Sequence, residues 1–145
     1  MARNESSLEM LRGLILTRKA AKAAWSELML ARSSLIESLG EFSTQEEFRE
    51  AVKRNGMPMI LLVNNIAWKR LEEYWLQEDK VKILLKALTD PDEIAVMHHL
   101  YFLETTAEEA ARVCGKPMSW TRKVQESAIK HLDEYLESKR GSLIK

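Results

Sequence analysis

A short basic segment near the C-terminus carries the side chains best suited to binding a ligand. Between residues 116 and 130 there are four basic residues and one acid, Glu126, although the whole chain has 22 basic and 22 acidic residues. Lysine and serine side chains there suit phosphate contacts, and Arg122 can donate two hydrogen bonds to one guanine. We therefore predict that the segment binds double-stranded DNA. The candidate residues are Lys116, Ser119, Trp120, Arg122, Lys123, Glu126 and Lys130.

Two of these residues allow a second interpretation. Arg122 could instead form an ion pair with Glu126, four residues later on the same helix face. Trp120 could fill a gap in the core beside Thr121, or it could stack against the sugar edge of DNA. Both alternatives stay open on the sequence alone.

Other reactive side chains do not form a recognisable site. His98 and His99 are adjacent and would point to different sides of a helix, and no ligand set of known metal-site spacing accompanies them. Cys114 is the single cysteine and is interpreted as a small core residue. We therefore expect no catalytic residue, no metal and no cofactor, and we expect that the protein is not an enzyme.

The basic segment follows a predicted pair of helices. Thr106 begins a capping box that opens a helix over residues 107–114, and Gly115 suits the position that ends it. A second helix is predicted from 119 to 138, and a preceding helix from 91 to about 102. A rigid pair of this kind can hold the first residues of its second helix against base edges in the major groove.

The N-terminal part also has helical periodicity. Apolar residues at helical spacing predict one long helix from Ser6 or Ser7 to Leu39. Ser43 is predicted to cap a short helix, and a third helix is predicted over residues 58–77. Because long helices need a partner for their apolar stripes, we predict that this region packs or oligomerises.

Composition sets the class of protein. Hydrophobic residues make up 46% and charged residues 30%, with 5 Gly and 3 Pro, which predicts an all-α fold. We divide the chain into a helical packing or oligomerisation region, 1–88, and a DNA-binding module, 89–145. The N-terminus lacks the pattern of a signal peptide, and the longest apolar run, 57–66, is too short to span a membrane. We expect a cytoplasmic protein without membrane contact.

Part of the module resembles a known family. The segments 95–102 and 106–111, with Gly115 and the closing stretch 124–132, resemble region four of bacterial sigma factors. In that family a helix leads through a short loop to a second helix, a glycine and a recognition helix. The resemblance covers about a third of the chain, and no segment resembles region two. The chain is similar in organisation to phage transcriptional regulators of the RinA and ArpU type.

The resemblance implies a function. It implies a sequence-specific transcriptional regulator, encoded by a phage or prophage and acting in the cytoplasm of a bacterial host, and it allows contact with RNA polymerase. Lys116 and Thr121 stand where the family usually has apolar residues, and Met118 and Trp120 stand where arginine is common. The −35 sequence preference of sigma factors is therefore not implied.

Two alternative functions fit the same pattern. A phage packaging protein of the small-terminase kind also joins a helix-turn-helix to oligomerising helices. A protein-binding adaptor could use a degenerate helix-turn-helix, as the zero net charge and the two missing arginines would allow. We predict a homo-oligomer, because DNA readers often pair two modules on two half-sites.

Overall fold

The computed structural model describes the backbone of residues 5–144 and the side chains of residues 5–140. Over this part the chain forms helices and no β-strand, which confirms the all-α prediction. None of the helices described is long and apolar enough to cross a membrane. The helices are α1 (Ser7–Met29), α2 (Arg32–Leu39), α3 (Gln45–Asn55), α4 (Met59–Val63), α5 (Asn65–Leu85), α6 (Pro91–Tyr101), α7 (Ala107–Cys114) and α8 (Met118–Ile144).

Tertiary contacts divide the chain into two compact units. Unit 1 contains the described residues of Met1–Ile15 and Gln77–Lys145, and unit 2 is Leu16–Leu76. Both α1 and α5 therefore contribute residues to each unit. The functional division after Leu88 concerns the roles of the two regions and stays a prediction.

Unit 2 is built around a cluster of aromatic rings. Phe48 is fully buried, and its ring centroid lies 5.0 Å from that of Phe42, 5.2 Å from that of Trp25 and 6.0 Å from that of Trp68. Trp75 continues the cluster, 5.5 Å from Trp68. Edge-to-face packing at these distances stabilises a core beyond the area that it buries. Trp68 and Trp75 belong to the core of unit 2, and the partly buried Trp25 packs against it.

The first predicted helix is in fact two helices. The prediction of one uninterrupted helix to Leu39 is wrong, because the chain leaves the α-helix at Leu30 and Ala31. There the backbone N–H groups donate to carbonyls three residues earlier, at 3.3 and 3.0 Å, which tightens the turn. Leu28 and Leu35 are buried on either side of the break. The apolar spacing therefore continues through the break and gives no sign of it in the sequence.

The capping box of α3 lies one residue later than predicted. Thr44, and not Ser43, is the N-cap, and its hydroxyl accepts the N–H of Glu47 at 3.1 Å. The Glu47 carboxylate accepts in turn from the backbone N–H of Ser43 at 3.3 Å. The sequence holds two overlapping copies of the motif, because Ser43 and Thr44 are each followed three residues later by a glutamate.

The third predicted helix is interrupted and also runs further. α4 ends at Val63, and Asn64 has φ −98° and ψ 60°. The Asn64 side-chain oxygen accepts the N–H of Ala67 at 3.4 Å, so this residue caps the first turn of α5. Beyond the predicted end at residue 77, α5 continues through the polar residues 78–80 to Leu85.

Within unit 1, α6, α7 and α8 pack against one another. The first turn of α1 is hydrogen-bonded to α8. Its Ser7 backbone N–H donates to Asp133 Oδ1 at 2.8 Å, and its hydroxyl donates to the carbonyl of Ile129 at 3.3 Å. Leu132, between these partners, is fully buried. α8 is thus held along one side, and this fixes the direction of its basic first turns.

Candidate nucleic-acid interface

α6, the helix before the α7 and α8 helices, begins at residue 91 as predicted. Asp90 is the N-cap of α6, and its carboxylate accepts the N–H of Asp92 at 2.8 Å. Pro91 occupies the first helical position, where its missing N–H costs nothing. Val96 and Met97 are fully buried, so α6 contributes apolar side chains to the core of unit 1.

α7 has the bounds that the capping box predicted, Ala107–Cys114. The Thr106 hydroxyl accepts the N–H of Glu109 at 3.1 Å. Ala110 and Ala111 are buried, and such small side chains let two helices approach closely. Cys114 is half-buried with a free thiol.

The turn after α7 is closed by two backbone hydrogen bonds. Gly115 has φ 67° and ψ 34°, a left-handed conformation that glycine adopts without a Cβ penalty. Its N–H donates to the carbonyl of Arg112 at 3.2 Å, and the N–H of Lys116 donates to that of Ala111 at 2.9 Å. This is the Schellman arrangement of a helix end. It makes the turn rigid, so that α7 and α8 form one pair, called the α7–α8 pair below.

α8 begins at Met118, one residue before the predicted start, and extends beyond the predicted end at Ser138. Its buried face contains Thr121, Ala128 and Leu132, all fully buried, at spacings of seven and four residues. Val124 is half-buried on the same face. This face is the one that packs in unit 1, so the opposite face is turned to solvent.

The predicted binding residues of α8 other than Trp120 lie on that solvent face. Ser119, Lys123, Glu126 and Lys130 recur at intervals of four, three and four residues, which is the spacing of one face of an α-helix, and Arg122 adjoins Lys123. All except Trp120 are exposed. We define the α8 basic face as Ser119, Arg122, Lys123, Glu126 and Lys130, with Lys116 in the preceding turn.

Arg122 has no ion pair or hydrogen bond among the described residues, and the same holds for Glu126. The alternative in which these two residues pair is therefore not adopted. Arg112 on α7 behaves differently, because its guanidinium lies 3.8 Å from the Glu108 carboxylate. The charge of Arg122 is thus left open to an external ligand.

Trp120 is neither fully buried, as a core residue would be, nor fully exposed, as a residue that stacks on DNA would be. Its side chain is half-buried, and the ammonium of Lys116 lies 5.9 Å from its ring centroid. A cation at this distance from the face of an indole is attracted to the ring. Stacking of Trp120 against DNA stays a prediction, but the contact orients Lys116 beside the first turn of α8.

Thr121 has a buried hydroxyl without a hydrogen-bond partner in the described residues. In the sequence, Thr121 was notable only because it stands where region four of sigma factors usually has an apolar residue. We expect Thr121→Val to raise the free energy of unfolding by about 1 kcal/mol, because an unpaired buried polar group is removed at constant shape. Urea denaturation measures the change.

The same substitution at Thr106 is the control for this prediction. There the hydroxyl caps α7, so Thr106→Val should lower the free energy of unfolding by about 1 kcal/mol. A loss of stability in both variants would contradict the assignment of an unpaired hydroxyl to Thr121.

A buried carboxylate between α6 and α8 was missed by sequence reasoning. Glu93 is an acid in the first turn of α6, and glutamate is almost never fully buried without a partner, but here it is only 3% exposed. Its carboxylate accepts from the Ser127 hydroxyl at 2.8 Å and lies 2.9 Å from His131 Nδ1. The hydrogen bond and the charge of Glu93 raise the pKa of His131. The sequence did contain a signal for this burial. Glu93 lies three and four residues before the buried Val96 and Met97, and these spacings place the three residues on one helix face.

The histidines and the cysteine of the described residues do not form a common metal site. Among the described residues, no group of three or more His, Cys, Asp or Glu side chains could hold a metal ion. The ring of His98 instead stacks on Phe102, with centroids 6.0 Å apart. The α8 basic face is therefore the candidate site that the geometry supports best.

No protein-family model, curated protein or solved structure matches the chain. The resemblance to region four of sigma factors consequently rests on the quoted segments alone.

Proposed function

We propose that the protein is a sequence-specific DNA-binding transcriptional regulator that places the first turns of α8 in the major groove. The observation that carries the proposal is the α8 basic face. It presents an unpaired arginine and three lysines with one acid, directly after a turn that fixes α8 against α7. The resemblance to sigma region four supports the same orientation and suggests a phage or prophage origin and a possible contact with RNA polymerase.

The dimensions suit this placement. An α-helix with its side chains is about 10–12 Å wide, and the major groove of B-DNA is about 12 Å wide. From Ser119 to Lys130 the helix rises about 16 Å at about 1.5 Å per residue.

Each side chain on the face has a role in the proposal. Arg122 points from the second turn of α8, where it can donate to O6 and N7 of a guanine. Glu126, one turn later, can accept from the N4 amino group of a cytosine. Lys116, Lys123 and Lys130 neutralise phosphates and set the register without reading the sequence. The zero net charge of the chain limits non-specific attraction to DNA, so recognition depends on this local face.

The proposal is tested by fluorescence anisotropy with duplexes that tile the genome around the gene for this chain. We expect tight binding to a subset of duplexes and a steep decrease in affinity between two salt concentrations. Arg122→Ala with Lys123→Ala should weaken binding to those duplexes by about 100-fold or more, since one bidentate base contact contributes about 1–3 kcal/mol and a phosphate contact is lost as well. The slope of affinity against salt should decrease by about 1.

A matched control removes the same charge elsewhere. Lys69 and Arg70 form another adjacent basic pair, exposed on α5, so Lys69→Ala with Arg70→Ala should retain DNA affinity within a few-fold. Arg122→Lys keeps the charge but loses the planar fork, and it should relax the choice of sequence more than it lowers affinity. Weak and equal binding of every variant to every duplex would contradict the proposal and favour a protein-binding adaptor.

A further inference from the structure

A hydrogen-bond network around one carboxylate joins α6 to α8 within unit 1. Glu93 lies in the first turn of α6 and is buried. Ser127 and His131 stand one turn apart on α8, so their side chains share one face of that helix. The Ser127 hydroxyl donates to Glu93 Oε2 at 2.8 Å, and His131 Nδ1 lies 2.9 Å from both carboxylate oxygens. We call these three residues the Glu93 network.

The Glu93 network holds a carboxylate away from water. A buried carboxylate is strongly disfavoured unless other groups donate to it and balance its charge. The Ser127 hydroxyl donates a hydrogen bond but carries no charge, whereas a protonated imidazole supplies both an N–H group and a positive charge. Histidine is the side chain whose ordinary pKa lies between pH 5 and 8, so the balance of charge around Glu93 depends on the pH.

The charged groups nearest to the imidazole favour its protonated form. Glu93 has the largest effect, since its hydrogen bond and its charge both raise the pKa of His131. Partial desolvation lowers this pKa. On α8, the charge of Glu134 raises it and the charge of Lys130 lowers it. The sum of these effects is a raised pKa, so the folded protein binds the proton on His131 more tightly than the unfolded chain does.

The other elements around the network add further acids. Asp90, the N-cap of α6, lines the same cavity of about 370 Å³ as His131. Asp133, two residues further along α8, accepts the backbone N–H of Ser7 on α1 at 2.8 Å. Negative charge near an imidazole favours its protonated form, so these carboxylates act in the same direction as Glu93. The remaining residues that line the cavity are uncharged at neutral pH, namely Ala87, Leu88, Thr89 and Tyr135.

We propose that the Glu93 network is a pH-sensitive link that holds α8 against α6 more strongly when His131 is protonated than when it is neutral. With the imidazolium, an N–H group and a positive charge face the carboxylate, and such charge-assisted hydrogen bonds are the stronger ones. With the neutral ring, Nδ1–H can still donate, but the charge of Glu93 is no longer balanced. The side chain of His131 is 53% exposed, so protons reach the ring from solvent.

The direction of the pH effect follows from the raised pKa. A group whose pKa is higher in the folded than in the unfolded protein stabilises the fold below its unfolded pKa, which is about 6.5 for histidine. That contribution is lost as the pH rises through the folded pKa. Unit 1 should therefore lose stability between about pH 6 and pH 8. The effect concerns the packing of α6 on α8 and does not rest on the proposed DNA binding.

NMR of the ring protons of His131, titrated in the full chain, tests the link at its centre. His131→Gln identifies the resonance by its absence. We expect Glu93→Gln to lower the pKa of His131 below its wild-type value, because the amide keeps the size of the side chain and removes its charge. A pKa of His131 that is the same in both proteins would overturn the proposal.

A second measurement leaves the buried residue unchanged. In urea denaturation followed by circular dichroism, the wild-type midpoint should be lower at about pH 8 than at about pH 6. His131→Gln keeps a hydrogen-bond donor but does not titrate, and it should remove at least about half of this difference. His98→Gln is the matched control, because His98 is exposed on α6 and its ring stacks on Phe102; it should keep the wild-type difference. Equal wild-type midpoints, or a difference that His131→Gln leaves intact, would contradict the link.

Discussion

Replacing Phe48 by alanine is expected to lower the free energy of unfolding by about 3–5 kcal/mol, the usual cost of emptying a buried aromatic site. Phe48 is fully buried, and the rings of Phe42, Trp25 and Trp68 surround it at centroid distances of 5.0–6.0 Å. These neighbours are themselves large and rigid, so they cannot collapse far into the space that the phenyl ring leaves. The cost should therefore lie toward the upper end of the range.

Urea denaturation followed by tryptophan fluorescence measures this loss, because three of the four tryptophans belong to unit 2. Phe48→Leu retains most of the apolar volume and should cost clearly less than the alanine variant. Phe102→Ala is the second control, since Phe102 is only half-buried and lies in unit 1. A loss below about 1.5 kcal/mol for Phe48→Ala would show that the aromatic cluster is not the core of unit 2.

The features that were predicted correctly from sequence are local ones. Thr106 and Asp90 cap helices by bonding to backbone N–H groups two or three residues away, so a few consecutive residues contain the whole signal. Gly115 ends α7 for a similarly local reason, because its left-handed conformation depends on the residue itself. The α8 basic face was also predictable, since side chains at spacings of three and four share one side of any α-helix.

The features that were not predicted have no clear local signal in the sequence. The break at Leu30 and Ala31 contains neither glycine nor proline, and the apolar spacing runs through it. The polarity of Glu93 indicates solvent exposure, and only the packing of α8 over it, with Ser127 and His131 as partners, explains its burial. The unpaired state of Arg122 was not predictable either, because helical spacing equally allows an ion pair with Glu126.

These differences separate the residues that build the α7–α8 pair from those that present its chemistry. Thr121, Ala128 and Leu132 fix the buried side of α8, whereas Arg122 and Lys123 stand on the opposite side. Changes on the buried side should therefore act on stability, and changes on the exposed side should act on the proposed DNA recognition. The contrast can be measured in one protein with two variants.

Leu132→Ala is expected to lower the free energy of unfolding by about 2–5 kcal/mol, through the lost transfer free energy and the cavity that remains. Leu132 is fully buried where α8 packs in unit 1. Leu103→Ala is the matched control, because Leu103 is 52% exposed and the same truncation there should cost less than about 0.5 kcal/mol. Urea denaturation followed by circular dichroism measures both variants.

The Leu132→Ala variant should nevertheless bind DNA with nearly wild-type affinity at a temperature well below its unfolding transition, since the folded molecules keep the α8 basic face. Arg122→Ala with Lys123→Ala should show the reverse, with unchanged stability and lost binding, because exposed side chains without partners contribute little to folding. If the double variant were instead strongly destabilised, Arg122 or Lys123 would have a structural role, and the loss of binding would no longer identify the recognition surface. If Leu132→Ala abolished binding while still folded, the alignment of α8, in addition to the charges it carries, would limit recognition.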